Sequence, residues 1–162
     1  MDAYLDIETT GLSPHYDRIT VIGIGLPNGS GIEVVQLYDS TLTRKRLADT
    51  LEGVSKLYTY NGVRFDLPFI HQRMGIDIAA RVEHHDLMYD CWQERLYGGL
   101  KAVEARLGIP RESAGMTGRD AVLLWRRYQD YADKEALKKL LAYNSEDVSN
   151  LGILRRKLGR TN

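Results

Sequence analysis

Four carboxylates and one phenol stand out because of the positions they occupy. Asp6-Ile7-Glu8 closes a mostly apolar run beginning at Ala3. Side chains alternate across a strand, so Asp6 and Glu8 project to one face while Leu5 and Ile7 project to the other. Both acids are poor strand formers, and they repel each other on a shared face. Two readings fit them: a solvent-exposed edge strand, or hard oxygen ligands for Mg²⁺ or Mn²⁺. In Tyr60-Asn61-Gly62-Val63-Arg64-Phe65-Asp66 a strand ends, a loop turns and an aspartate opens a helix. Asp66 is there either as the N-cap or as part of a site at the strand's end, where sites gather on open sheets.

The last helical segment carries the sharpest signal. Leu140, Tyr143, Asp147, Leu151, Leu154 and Leu158 recur at steps of three and four and share one face. Asp147 thus lies inside an apolar stripe, whereas Glu146 is about 100° away on the polar side. An unpaired carboxylate facing a core costs several kcal/mol, so a positive group is expected opposite Asp147. Tyr143, one turn earlier, can reach toward the same point or simply pack at the helix edge.

Strands come first along the chain and helices later. Ala3–Glu8, Arg18–Leu26 and Ile32–Tyr38 read as strands, and Pro27-Asn28-Gly29-Ser30-Gly31 has hairpin-turn chemistry. Helix over 43–51 (capped by Thr41 or Thr43), strand over 56–60, helix over 67–74, strand over 81–85 and a helix from Asp86 to about Leu96 follow. Beyond Gly98-Gly99 the segments 100–107, 119–131 and 134–158 all read as helices. This order predicts an α/β fold: a mixed five-stranded sheet flanked by helices, with a helical C-terminal half, in a single domain over 1–162.

Composition narrows the function classes. The 162 residues carry 22 Lys+Arg and 22 Asp+Glu, a formal net charge of +0. A protein held to nucleic acid by charge alone is usually basic, but an enzyme that recruits its positive charge from metal ions is still compatible. Residues 1–40 hold six acids against one base, a net of −5, which leaves +5 for the remainder. The basic end (Arg155, Arg156, Lys157, Arg160) reads as a solvated helix terminus or as a phosphate contact. Cys91 is the single cysteine, which excludes an intramolecular disulfide and a cysteine-rich zinc site. No signal-peptide pattern and no long apolar run occur, so no membrane partner is expected and a cytoplasmic location is the default.

Other motifs lose their meaning in context. Gly23-Ile24-Gly25 leads to a hairpin and not a helix, so a dinucleotide-binding reading fails. His84 and His85 are adjacent on a strand and face opposite ways, which argues against a zinc site with Cys91. Cys91 reads as a small buried residue, and Asp86 and Asp90 as capping or solvated acids near a strand-to-helix junction. Trp125 beside Arg126-Arg127 suits base stacking, although a helical tryptophan usually packs.

Together the motifs carry a resemblance. Asp6-Ile7-Glu8-Thr9-Thr10-Gly11-Leu12 resembles the first motif of the DEDD (DnaQ-like) 3′–5′ exonuclease superfamily. Asn61-Gly62-Val63-Arg64-Phe65-Asp66 resembles the second, and Tyr143-x-x-x-Asp147 the third in its tyrosine subclass; Ala142 stands where the histidine subclass has its histidine. The segments 99–111 and 140–148 are similar to the YprB-type ribonuclease-H-like branch. The resemblance implies a ribonuclease-H-like fold and a 3′–5′ exonuclease acting on a single-stranded or frayed DNA or RNA 3′ end by two-metal-ion hydrolysis, releasing nucleoside 5′-monophosphates. It implies that Asp6, Glu8, Asp66 and Asp147 hold two Mg²⁺ or Mn²⁺ ions, Asp66 through water, and that Tyr143 orients the attacking water or helps remove its proton. Thr10, Gly11, Leu12, Asn61 and Phe65 match the positions that contact the terminal nucleotide. The alternative function is a non-catalytic nucleic-acid-binding or assembly module that retains the fold.

Overall fold

Strands β1 (Asp2–Thr9), β2 (Ile19–Asn28), β3 (Gly31–Tyr38), β4 (Lys56–Thr59) and β5 (Glu83–Asp86) form one mixed sheet in a computed structural model describing residues 1–159. The order is β3-β2-β1-β4-β5. The first three strands are an antiparallel meander, and β4 and β5 add in parallel beside β1. Helices α1 (Arg44–Thr50), α2 (Asp66–Met74), α3 (Leu87–Gln93), α4 (Leu100–Leu107), α5 (Gly118–Tyr131) and α6 (Lys134–Lys157) complete it. The expected mixed five-stranded sheet with a helical C-terminal half is what the chain adopts. None of the described helices is long and apolar enough to cross a membrane.

The alternation of β1 sorts its side chains between two cores. Leu5 and Ile7 pack with Ile22, Ile24, Leu57, Phe69 and Ile70 on the α1–α2 side. Tyr4 belongs to the opposite cluster, with Val103, Val148, Leu151 and Leu154. Asp6 and Glu8 share the Tyr4 face. Because β1 is the central strand, they are not on a solvent-exposed edge.

Close backbone approach explains the glycines of β2. A Cβ on Gly23 would meet Asn144 Oδ1 at 2.3 Å and Val148 Cγ2 at 2.7 Å. Helix α6 therefore lies tightly against the sheet, packing on β1, β2 and β3. The turn is tighter than its composition suggested: strand pairing continues to Asn28↔Gly31, leaving a two-residue hairpin loop whose Gly29 has φ +58°.

Several helix starts are settled by side chains. Thr43 caps α1 by accepting from Arg46 N, and Asp86 caps α3 by accepting from Met88 N. The basic end divides. Arg155 is buried, ion-paired with Asp2 at 2.8 Å and stacked over Tyr58 at 4.0 Å, so it is neither a solvated terminus nor a phosphate contact. Arg156 and Lys157 are exposed, and Arg160 lies outside the described residues.

Candidate active site

One open groove of about 740 Å³ runs over the end of β1 and gathers Asp6, Glu8, Asp66 and Asp147. Carboxylate oxygens of Asp6, Glu8 and Asp147 lie within 4.8 Å of one another, the single such ligand group among the described residues. Each is positioned by a different element. The register of β1 against β2 shifts between Glu8 and Thr9, which re-aims the strand's end as bulges do. Asp147 enters from α6, whose close seat on Gly23 brings it to the strand. Asp66 is the first residue of α2 rather than its cap, and its carboxylate accepts from Ile7 N at 3.1 Å.

The positive group required opposite Asp147 is Arg111, with Nη2 2.5 Å from Asp147 Oδ1. Arg111 is itself held by Glu104, fully buried, through Nη1 contacts of 3.0 and 2.7 Å. Asn150 supports Glu104 at 3.1 Å. Glu146, on the polar side of α6, accepts from Glu112 N and Ser113 N and so fastens the loop that carries Arg111. Lys101 lies 3.9 Å from Asp147 and 4.6 Å from the Tyr143 ring centroid.

Asp6 has a neutral partner. Asn144, wholly buried, donates from Nδ2 to Asp6 Oδ2 at 3.2 Å and to the Asp6 carbonyl at 3.3 Å. Gln36 donates to Asn144 Oδ1 at 3.0 Å, which fixes which end of the amide faces Asp6. The second-motif loop is fastened likewise: Asp86 accepts from Asn61 N at 2.8 Å and Val63 N at 3.1 Å, and Asn61 adopts φ +62°.

Burial and mutual repulsion dominate the electrostatics. Burial, then the charges of Asp147, Glu8 and Asp66, hold the Asp6 carboxyl well above the ordinary range. Glu8 is raised in the same way, by burial and then Asp147. Burial pushes Asp66 up to about 7. Asp147 is also raised by burial, against the opposing pull of Lys101 and Arg111. Glu8 Oε1 is buried with no hydrogen-bond partner. An orphaned buried carboxylate oxygen among three further acids is the donor set of a divalent cation, which would supply the missing partner and offset the repulsion.

The other expected residues distribute unevenly. Gly11, Leu12, Asn61 and Phe65 line the groove. Thr10 turns into its own loop, donating to Asp17 Oδ1 at 3.3 Å and accepting from Arg18 N. A Cβ on Gly11 would meet the Asp17 carboxylate, which would have to leave its bonds to Thr10 and Ser13 N. Tyr143 is 2% exposed, packs with Val21, Trp125 and Leu140, and is not among the groove-lining residues. Burial, then Asp147, Glu8 and Asp6, push its hydroxyl far above the ordinary phenol range.

Residues outside the groove take structural roles. His84 pairs with Thr59 at 2.9 Å, while His85 pairs with Asp90 at 2.5 Å. Asp90 is therefore buried and partnered rather than solvated. Cys91 is fully buried, and burial raises its thiol to about 11. Trp125 is core. Arg111, Lys101, Asn144 and Gln36 are given no role by the sequence beyond the need for a cation facing Asp147; Asp86 caps α3 as expected and also holds the Asn61 loop.

A family model described as the RNase_H superfamily matches residues 3–159. The chain is 27% identical over 160 residues to uncharacterized protein MJ0365 of Methanocaldococcus jannaschii, across 90% of this chain and 88% of that one. Among solved structures it is similar to Brucella melitensis NrnC bound to pGG, with TM-score 0.68 and 23% identity over 98% of this chain and 72% of that chain. The same protein with bound Mg²⁺ gives TM-score 0.65 and 21% identity at the same coverage. The family B DNA polymerase of Pyrobaculum calidifontis gives TM-score 0.70 and 19% identity over 97% of this chain but 24% of that chain. These structural likenesses show the shared fold.

Proposed function

The chain belongs to the RNase H superfamily, and from that premise we propose that it is a divalent-metal-dependent 3′–5′ exonuclease releasing nucleoside 5′-monophosphates from single-stranded or frayed nucleic-acid ends. One observation carries the reading: three carboxylates from β1 and α6 meet within 4.8 Å on the floor of an open groove, and a buried Glu8 oxygen lacks a protein partner. The Mg²⁺ in one NrnC structure and the pGG in another fit a metal-dependent reading of this floor.

Asp6, Glu8 and Asp147 would hold the cation, with Asp66 supporting a second one through water. Bound divalent ions make water a stronger nucleophile and stabilise the leaving oxygen of an in-line displacement. The protein's own groups prepare the floor. Arg111 favours the ionised form of Asp147 against burial and fixes its rotamer, and Asn144 does the positional part of this for Asp6. Asp66, tied to Ile7 N, holds the strand between the two β1 acids in place. Tyr143, whose hydroxyl feels the charges of Asp147, Glu8 and Asp6, would orient the attacking water or help remove its proton. Gly11, Leu12, Asn61 and Phe65 line the place of the terminal nucleotide.

A digestion series with matched single-stranded and duplex DNA and RNA ends, each in Mg²⁺ or Mn²⁺, tests this. Mononucleotide release from 3′ ends, abolished by EDTA and by Asp6→Ala, is the expected result. Intact 3′ ends in every condition, with the strand still bound, identify a non-catalytic binding module instead.

A further inference from the structure

The groove lined by Leu12 and Phe65 is also walled by the first half of α5. Arg119, Val122, Leu123 and Arg126 all line it. Their spacing of three, four and seven residues puts them on one helical face, while Ala121 and Trp125 occupy the buried face. Leu123 is half exposed although it lines a cavity. Arg119 and Arg126 make no ion pair or side-chain hydrogen bond among the described residues. Arg127, one position further, is paired with Asp133 at 2.8 Å. The two arginines that line the groove are thus the ones without an ion pair among the described residues, in a groove that also holds four acids.

The chemistry of a strand end decides what such a wall is for. A 3′-terminal nucleotide brings one phosphate, the scissile one, and its place is at the carboxylate floor. Every further phosphate belongs to the nucleotides behind it. Cations away from the floor therefore match the upstream strand, and apolar side chains between them match a base face. Seven helical residues separate the two arginines by about 10 Å along the axis, a span that long side chains can close onto neighbouring phosphates. We propose that the α5 wall is the upstream subsite: Arg119 and Arg126 hold phosphates behind the scissile bond, and Val122 and Leu123 face a base.

The inference rests on the exonuclease reading, and the test separates the two. The p-nitrophenyl ester of thymidine 5′-monophosphate has a terminal nucleotide and a leaving group but nothing upstream. A short oligothymidylate has all three. For the double variant Arg119→Ala/Arg126→Ala, the ratio of kcat/KM on the oligonucleotide to that on the ester falls about tenfold, mainly through KM. The slope of log kcat/KM for the oligonucleotide against log salt becomes shallower by about 1.4, the value for two lost single-strand phosphate contacts. Both arginines are exposed, so folding is not at stake. An unchanged ratio, whether both substrates suffer equally or neither does, overturns the upstream assignment. Wild-type protein inert on both substrates in Mn²⁺ overturns the exonuclease reading itself.

Discussion

Arg111 illustrates how one side chain can be demanded by a sequence without being identifiable in it. The apolar stripe of α6 required a cation facing Asp147, and any of 22 Lys or Arg residues could have supplied it. The answer lies 36 positions upstream in a loop, placed there by Glu104 and Glu146. Removing one member of a buried ion pair is costly because the other is left uncompensated. Arg111→Met is expected to lower stability by about 3–5 kcal/mol in urea denaturation, and adding Glu104→Met should recover part of the loss. Tyr143 poses the converse problem: the motif named the residue but not its surroundings. Tyr143→Phe keeps the ring that packs beneath Lys101 and removes only the hydroxyl. Turnover on the oligonucleotide should fall about tenfold or more with KM nearly constant. Unchanged kcat leaves Tyr143 as a packing residue.

At the scale of elements, strand and helix order was legible because hydrophobic period and turn chemistry are local. The mutual packing was not. Gly23-Ile24-Gly25 was readable only as the wrong ligand motif, since its purpose is the distance between β2 and α6. The sequence marks 119–131 only as a helix and offers Trp125 as its base stacker, yet the groove is lined by the face that Trp125 does not occupy. The glycine seat makes a direct prediction. Gly23→Ala places a methyl against Asn144 and Val148, lifting α6 and with it Asp147 from the β1 acids. Both melting temperature and Mn²⁺ affinity, the latter followed by calorimetry without substrate, should fall together. Gly99→Ala, where a Cβ meets nothing within 4 Å, should alter neither by a comparable amount.

For the whole molecule, zero net charge conceals a concentrated imbalance. Asp66 has a folded-state pKa of about 7 against an ordinary 3.8, so between those values the folded protein binds more protons than the unfolded chain. The contribution of Asp66 to the stability of the metal-free protein is therefore fully present below about pH 4 and is lost as pH rises through about 7. Asp6, Glu8 and Asp147 are raised too and add to the same trend. Thermal denaturation in EDTA should show the melting temperature falling from pH 5 to pH 8, with Asp6→Asn raising it at the upper end. Divalent ions should reverse the fall, by about 2.7 kcal/mol at a hundredfold excess over Kd. A flat pH profile in EDTA would mean that neither burial nor mutual repulsion raises the four acids in the folded chain.

The joining of Asn144 to Asp6 also has a consequence in time. The two residues are 138 positions apart, and a ribosome adding about 5–20 residues per second needs roughly 7–30 s to produce the second after the first. During that interval the antiparallel meander can already exist, its glycine-lined face bare and its two acids without Asn144 or Asp147. The cation-binding floor is closed by the final helix. A nascent chain is therefore expected to carry no complete carboxylate floor until α6 has been translated, so the order of synthesis itself delays the onset of the proposed activity.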